Sequence, residues 1–195
     1  RGEVGAQIWR VRDEGGPEME VMLLGNGGCV TDARWAPEVR SVDEDGDGDG
    51  DGDGALGRLA VSLGDSRVEV WTVPRWSPST PRTRRANVSF AGVVPEDYGA
   101  PLCVDWNAAV PGRLAAGYSS GRVCVWDVDA DARGTAPTYP KFVITAAAQS
   151  GPCRVVRWPP LEHPEDASVC ANVFAAGADN AAKPHVLDLR APFAP

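Results

Sequence analysis

Gly57–Trp71 reads GRLAVSLGDSRVEVW and Gly112–Trp126 reads GRLAAGYSSGRVCVW. The two stretches align without a gap at an offset of 55 residues, and eight of their fifteen positions are identical: Gly, Arg, Leu, Ala, Arg, Val, Val and Trp. Self-similarity of this kind marks a repeated supersecondary unit. Each copy predicts a hairpin. Arg58–Leu63 is a short apolar strand, and Gly64, Asp65 and Ser66 are turn formers. From Arg67 to Val73 the side chains alternate, with Val68, Val70 and Thr72 on one face and Glu69, Trp71 and Val73 on the other. The second copy turns at Ser119, Ser120 and Gly121.

The second strand of the hairpin recurs further out. Gln7–Val11 (QIWRV), Glu69–Val73 (EVWTV), Cys124–Val128 (CVWDV) and His185–Leu189 (HVLDL) share one pattern, which aligns Trp9, Trp71, Trp126 and Leu187 at intervals of 62, 55 and 61 residues. A third element precedes each hairpin: Val30–Pro37 (VTDARWAP), Leu102–Asn107 (LCVDWN) and Val155–Pro160 (VVRWPP), in which Trp35, Trp106 and Trp158 correspond. A fourth, more variable apolar run lies just before that, at Met19–Leu24, Asn87–Val94 and Lys141–Ala146. Four strands per period of about 50–60 residues predict an all-β chain of radial antiparallel sheets, a WD40-type β-propeller. An ordinary β-sandwich has no reason to repeat the hairpin sequence. The count is about three four-stranded blades plus one leading strand. Propellers close with ~4–8 blades. The chain opens at Arg1 and stops in mid-pattern at Pro195, so residues 1–195 are expected to be a partial ring whose remainder lies outside the segment.

Composition narrows the function classes. The formal charge is −8, from 27 acidic and 19 basic residues, but seven of the acids lie in Asp43–Gly54 (DEDGDGDGDGDG). The remainder is nearly neutral, which does not suit a surface that grips DNA directly. No run approaches the ~18 apolar residues of a membrane span. The five cysteines (Cys29, Cys103, Cys124, Cys153, Cys170) include no CxxC pair, and only His163 and His185 could join them, so a zinc site is not expected and the thiols read as reduced. No GxSxG, phosphate-binding glycine loop or HExxH is present, so neither a catalytic residue nor a cofactor is assigned.

Two insertions interrupt the repeats. The Asp/Gly run at 43–54 lacks the Glu that a calcium loop needs at its twelfth position and is expected to be a disordered acidic loop. The stretch 74–86 is basic and rich in Ser and Pro, and is expected to be a flexible connection. Its Arg75, Arg82, Arg84 and Arg85 are candidate interaction residues.

VCVWD at Val123–Asp127 resembles the closing strand of a WD repeat. That family packs the Trp into the blade and places an Asp in the tight turn to hold the blade's shape. Asp65 stands at the matching turn position, and Ser120 replaces it in the next hairpin. The resemblance implies structural roles for Trp9, Trp35, Asp65, Trp71, Trp106, Trp126, Asp127, Trp158 and Asp188.

A narrower likeness runs along most of the chain. In order, GAQIWRV, GNGGCVTDARWAP, LGRLAVSLGDSRVEVWTVP, PLCVDWN, GRLAAGYSSGRVCVWDV and LDLRAPFAP are similar to the WD-repeat subunit 2 family of transcription factor IIIC. The two insertions depart from that pattern. The likeness implies a non-enzymatic nuclear scaffold that holds a second propeller subunit and a large DNA-binding subunit for RNA polymerase III transcription, with DNA touched indirectly. Leu187–Arg190 (LDLR) also resembles the WDxR motif of cullin-4 substrate receptors, with Leu in place of Trp. Arg190 is the residue that would carry that alternative, and another generic WD-repeat interaction scaffold is the remaining one.

Overall fold

The structure is a computed structural model that describes residues 3–11, 16–37, 55–75, 81–131, 137–145, 151–179 and 184–191. The acidic run at 43–54 and the middle of the basic stretch lie outside the described residues. The strands, in chain order, are β1 (Glu3–Arg10), β2 (Glu18–Asn26), β3 (Val30–Trp35), β4 (Ala55–Leu63), β5 (Val68–Pro74), β6 (Thr83–Arg85) and β7 (Asn87–Gly92). They continue with β8 (Pro101–Trp106), β9 (Arg113–Tyr118), β10 (Arg122–Asp127), β11 (Phe142–Thr145), β12 (Cys153–Arg157), β13 (Val173–Ala178) and β14 (His185–Asp188). They form four sheets in the orders β1-β2-β6, β3-β4-β5-β7, β8-β9-β10-β11 and β12-β13-β14.

The repeated hairpins pair as the alternation requires. Leu59 faces Trp71 across β4 and β5, and Leu114 faces Trp126 across β9 and β10. The tight turns match in detail. Ser66 (φ 74°) and Gly121 (φ 84°) lie 55 residues apart, at the same left-handed position. Only glycine adopts that conformation without steric cost. Ser66→Gly is therefore expected to raise stability by about 0.5–1 kcal/mol, read as an upward shift of the urea midpoint.

Grouping differs from the expected three blades plus a lone strand. The variable runs pair backwards: β7 joins β5 and β11 joins β10, each completing the sheet of the hairpin before it. The result is two complete four-stranded sheets flanked by two three-stranded ones. Following a hairpin, the next antiparallel partner within reach is the free edge of the strand just made, so local connection decides the grouping.

The basic stretch is corrected in part. Thr83–Arg85 is a strand, not a loose connection. It leaves the second sheet between β5 and β7 and runs parallel to β2, with Met22, Leu23 and Leu24 opposite Thr83, Arg84 and Arg85. Backbone bonds from Met22 N to Arg82 O (2.7 Å) and from Ala86 N to Leu24 O (2.8 Å) fix it there.

Three apolar cores lie between successive sheets rather than one at a centre. Leu23, Leu59, Val61 and Trp71 fill the first, Val68, Val70, Leu114 and Trp126 the second, and Val123, Val125, Trp158 and Phe174 the third. Val68 and Val70 thus serve one core while their strand neighbours Trp71 and Val73 serve another, so each complete sheet is buried on both faces. The first strands of the second, third and fourth sheets touch in series, β3 to β8 and β8 to β12, which sets the sheets around a common inner edge.

Candidate interaction surface

The seams between sheets position every exposed group, so the site is built from them outward. In the first two seams a hairpin Trp lies against a strand of the preceding sheet at a glycine. A Cβ on Gly25 of β2 would stand 2.6 Å from the Trp71 ring, and one on Gly92 of β7 would stand 3.0 Å from the Trp126 ring. By register, Ile144 holds the place of Gly92 in β11, and the third core, which holds Ile144, has the smaller Leu187 packed against it where the other seams use Trp. Volume moves from one strand to the other, as close packing demands.

Polar bonds latch the same seams. Asp32 Oδ2 accepts the Val104 N–H (3.1 Å), and Asp105 Oδ2 accepts the Trp158 N–H (2.8 Å), so an inner-strand Asp of one sheet holds the backbone of the next. Burial pushes the Asp105 carboxyl above its ordinary range, against the Trp158 N–H and the Arg157 charge. Trp106 Nε1 donates to Arg34 O at 3.0 Å. Asn107, 1% exposed, donates to Cys170 O (2.9 Å) and Ala171 O (3.3 Å) and accepts the N–H groups of Ala109 and Val110, both at 2.8 Å. Arg113 also donates to Ala171 O, at 3.0 Å.

The residues singled out from sequence divide into three groups. Trp71, Trp126, Trp106 and Trp158 are buried, and Trp158 stacks at a tilt on Phe174 with ring centroids 4.9 Å apart. Trp9 and Trp35 are corrections: they are 51% and 45% exposed, although their repeats place them with buried partners. The physical reason is the first sheet, whose innermost described strand is β1. Among the described residues no sheet precedes β1 to cover Trp9 as β2 covers Trp71, and no strand lies inside β1 to receive Trp35 as β3 receives Trp106.

Asp65 does not reach Trp71 directly. It pairs with Arg67 (Nε 3.1 Å, Nη2 2.8 Å), Arg67 pairs with Glu69 (2.8 Å), and Glu69 accepts the Trp71 Nε1–H at 2.8 Å. Arg67 also donates to Asn26 O of the preceding sheet. Sequence reading missed Arg67, Glu69, Asp32 and Asn107. The i, i+2 spacing of Asp65, Arg67, Glu69 and Trp71 along one strand edge was the signal available.

Asp127 accepts Arg113 (2.8 and 3.3 Å) and Lys141 (2.6 Å). Burial penalises its charge, but those two cations outweigh the penalty and hold its carboxyl below the usual range. A depressed folded pKa gives stability that is present above the unfolded value near ~4 and is lost as pH falls through the folded one. Asp127→Asn is expected to flatten the acid limb of the stability-against-pH curve below about pH 4, leaving the curve near neutrality displaced by a constant amount. Urea midpoints at stepped pH would measure this.

At the protein surface, Arg82 bonds Met19 O (2.8 Å) and Glu18 (3.0 Å), Arg85 lies 3.5 Å from Glu3, and Arg84 donates to Pro81 O at 3.2 Å. Arg82 and Arg85 therefore tie the strand β6 to the first sheet, while Arg84 bonds within its own stretch. Arg75 is exposed. Arg190 is held by Asp188 through Oδ1 at 2.9 Å and Oδ2 at 2.6 Å, which draws the half-buried Asp188 carboxyl below its usual range.

One end of the inner strands carries two adjoining hollows. The first, of about 200 Å³, is lined by Ala36, Pro37, Arg58, Trp106, Asn107 and Gly112, with the Arg58 guanidinium 5.6 Å from the Trp106 ring centre and paired to Asp129. The second, of about 290 Å³, lies under Trp35, Ala36, Leu56 and Gly57. Aromatic faces with a paired cation suit contact with protein side chains. Among the described residues no group of three His, Cys, Asp or Glu side chains could hold a metal, and no helix is long and apolar enough to cross a membrane.

No protein-family model matches the sequence, and no curated protein matches it. The structure is similar to the crystal structure of the WD40 domain of Toxoplasma gondii coronin, with a TM-score of 0.64 and 19% identity, over 95% of this chain and 37% of that one. The chain thus spans well under half the length of that structure. Its radial sheets, Trp-filled seams and shared inner edge are those of a WD40-type β-propeller, of which these residues form part.

Proposed function

We propose that the chain is a protein-interaction scaffold, and more narrowly a nuclear subunit of a transcription factor IIIC-like complex. In that role it holds a second propeller subunit and a large DNA-binding subunit for RNA polymerase III transcription of tRNA-type genes. The observation that carries the scaffold reading is the latched seam. Asp32, Asp105 and Asn107 lock neighbouring sheets through backbone groups, so the exposed ends sit at fixed geometry and little conformational freedom is lost on binding. The finer reading rests on the ordered stretches from GAQIWRV to LDLRAPFAP and on the near-neutral body outside the acidic run, which suits protein contact over direct DNA contact.

Affinity purification of the full-length protein followed by mass spectrometry tests it. Recovery of RNA polymerase III factors is the expected result. Recovery of a cullin-4 adaptor in their place, lost in Arg190→Glu, would replace this reading with that of a ubiquitin-ligase substrate receptor.

A further inference from the structure

The seam between the third and fourth sheets holds two thiols. Cys103 in β8 and Cys153 at the start of β12 are both buried. Cys103 Sγ donates to Cys153 O and Cys153 Sγ to Val155 O, each at 3.6 Å. A Cβ on Gly117 of β9 would stand 2.8 Å from the Cys103 sulfur and 2.7 Å from the Cys153 sulfur. Both sulfurs therefore crowd one point, and the missing side chain at residue 117 gives them the room.

The matching place in the preceding seam uses oxygen instead. Ser62 opposes Asp32 as Gly117 opposes Cys103, and Pro101 opens β8 as Cys153 opens β12. There Thr31 Oγ1 bonds Ser62 Oγ (2.8 Å) and donates to Pro101 O (2.6 Å). A hydroxyl latch in one seam is a dithiol in the next.

We propose that Cys103 and Cys153 form a reversible redox pair, closed to a disulfide by hydrogen peroxide, which staples β8 to β12 across the seam. Cys153 is the attacking group. The hydrogen bond from Cys103 draws its thiol below the usual range, while the same bond and burial raise Cys103. The Cys153 thiolate attacks one peroxide oxygen, the O–O bond breaks, and a sulfenic acid forms as the departing oxygen leaves as water. The Cys103 sulfur then attacks the sulfenic sulfur, the S–S bond forms, the S–O bond breaks, and the hydroxide leaves as water with the Cys103 proton. Two thiols lose two electrons, and one peroxide becomes two waters.

The other thiols are set apart from this chemistry. Burial pushes Cys124 up to about 12, Cys170 donates to Pro160 O at 3.6 Å, and Cys29 is exposed.

Graded hydrogen peroxide on the native full-length protein, followed by alkylation and tryptic mass mapping without reductant, tests the pairing. The expected product is residues 86–113 linked to residues 142–154, reversed by dithiothreitol, with the melting temperature raised by about 5–10 °C in the linked form. If Cys103 and Cys153 are still fully alkylated when Cys29 has been consumed, or if the links formed join other cysteines, the proposal fails. Gly117→Ala gives a second reading. In folded protein it should slow formation of the link at least tenfold, and an unchanged rate would show that the shared space is not what pairs the sulfurs.

Discussion

Trp71→Ala is expected to destabilise the protein by about 3–5 kcal/mol, the cost of removing a buried indole. The ring is fully buried in the core between the first and second sheets, pressed on Gly25, and its Nε1–H is the donor to Glu69 Oε2. Truncation would open a cavity that Gly25 has no side chain to fill. It would also strip a donor from a carboxylate that is itself 4% exposed. Trp71→Phe separates the two effects, keeping most of the volume and losing about 1–3 kcal/mol through the lost donor. Trp9→Ala, on the aligned residue of the repeat, should fall within about 0.5 kcal/mol of wild type, because that ring already faces solvent. Urea unfolding followed by far-UV circular dichroism measures all three. Equal losses for Trp71→Ala and Trp9→Ala would contradict the assignment of seams.

Asn107→Leu should cost about 2–4 kcal/mol despite its near-identical size. The amide satisfies two carbonyls of the neighbouring sheet and two N–H groups of its own turn, all at a position closed to water. Leucine would leave those groups without their partner in a buried place, and only Ala171 O would retain another donor, from Arg113. Hydrogen exchange at Ala109 and Val110 should speed up by more than the global loss explains, because their acceptor is gone. Unchanged protection there would mean that the turn is held by something other than this side chain.

The hairpins and the inner strands were readable from sequence because their signals are local. Alternation in Arg67–Val73, turn formers at Gly64–Ser66 and the repeat at offset 55 fix strands and turns without reference to the rest of the chain. Trp71, Trp106, Trp126 and Trp158 followed from the same pattern. The groups that lock the seams were harder to see. Glu69 sits at a polar position in an alternating strand, which ordinarily means solvent, but sheets on both sides bury it. Asp32 and Asn107 act on backbone some 70 and 60 residues away, and such partners leave no mark in the flanking sequence. Trp9 and Trp35 erred in the other direction. Their local pattern is that of buried residues, and their exposure follows from what packs beside them among the described residues: no sheet before β1 for Trp9, and no strand inside β1 for Trp35. Thr83–Arg85 is three residues long with no alternation at all, so only its pairing with β2 defines it.

That short strand makes the chain interlaced rather than modular. Because the connection between β5 and β7 returns to border β2, two neighbouring units share material, and neither could be duplicated, deleted or exchanged by recombination at hairpin boundaries without orphaning the other's edge. Grafting the first sheet onto another wheel would require carrying residues 81–86 along with it.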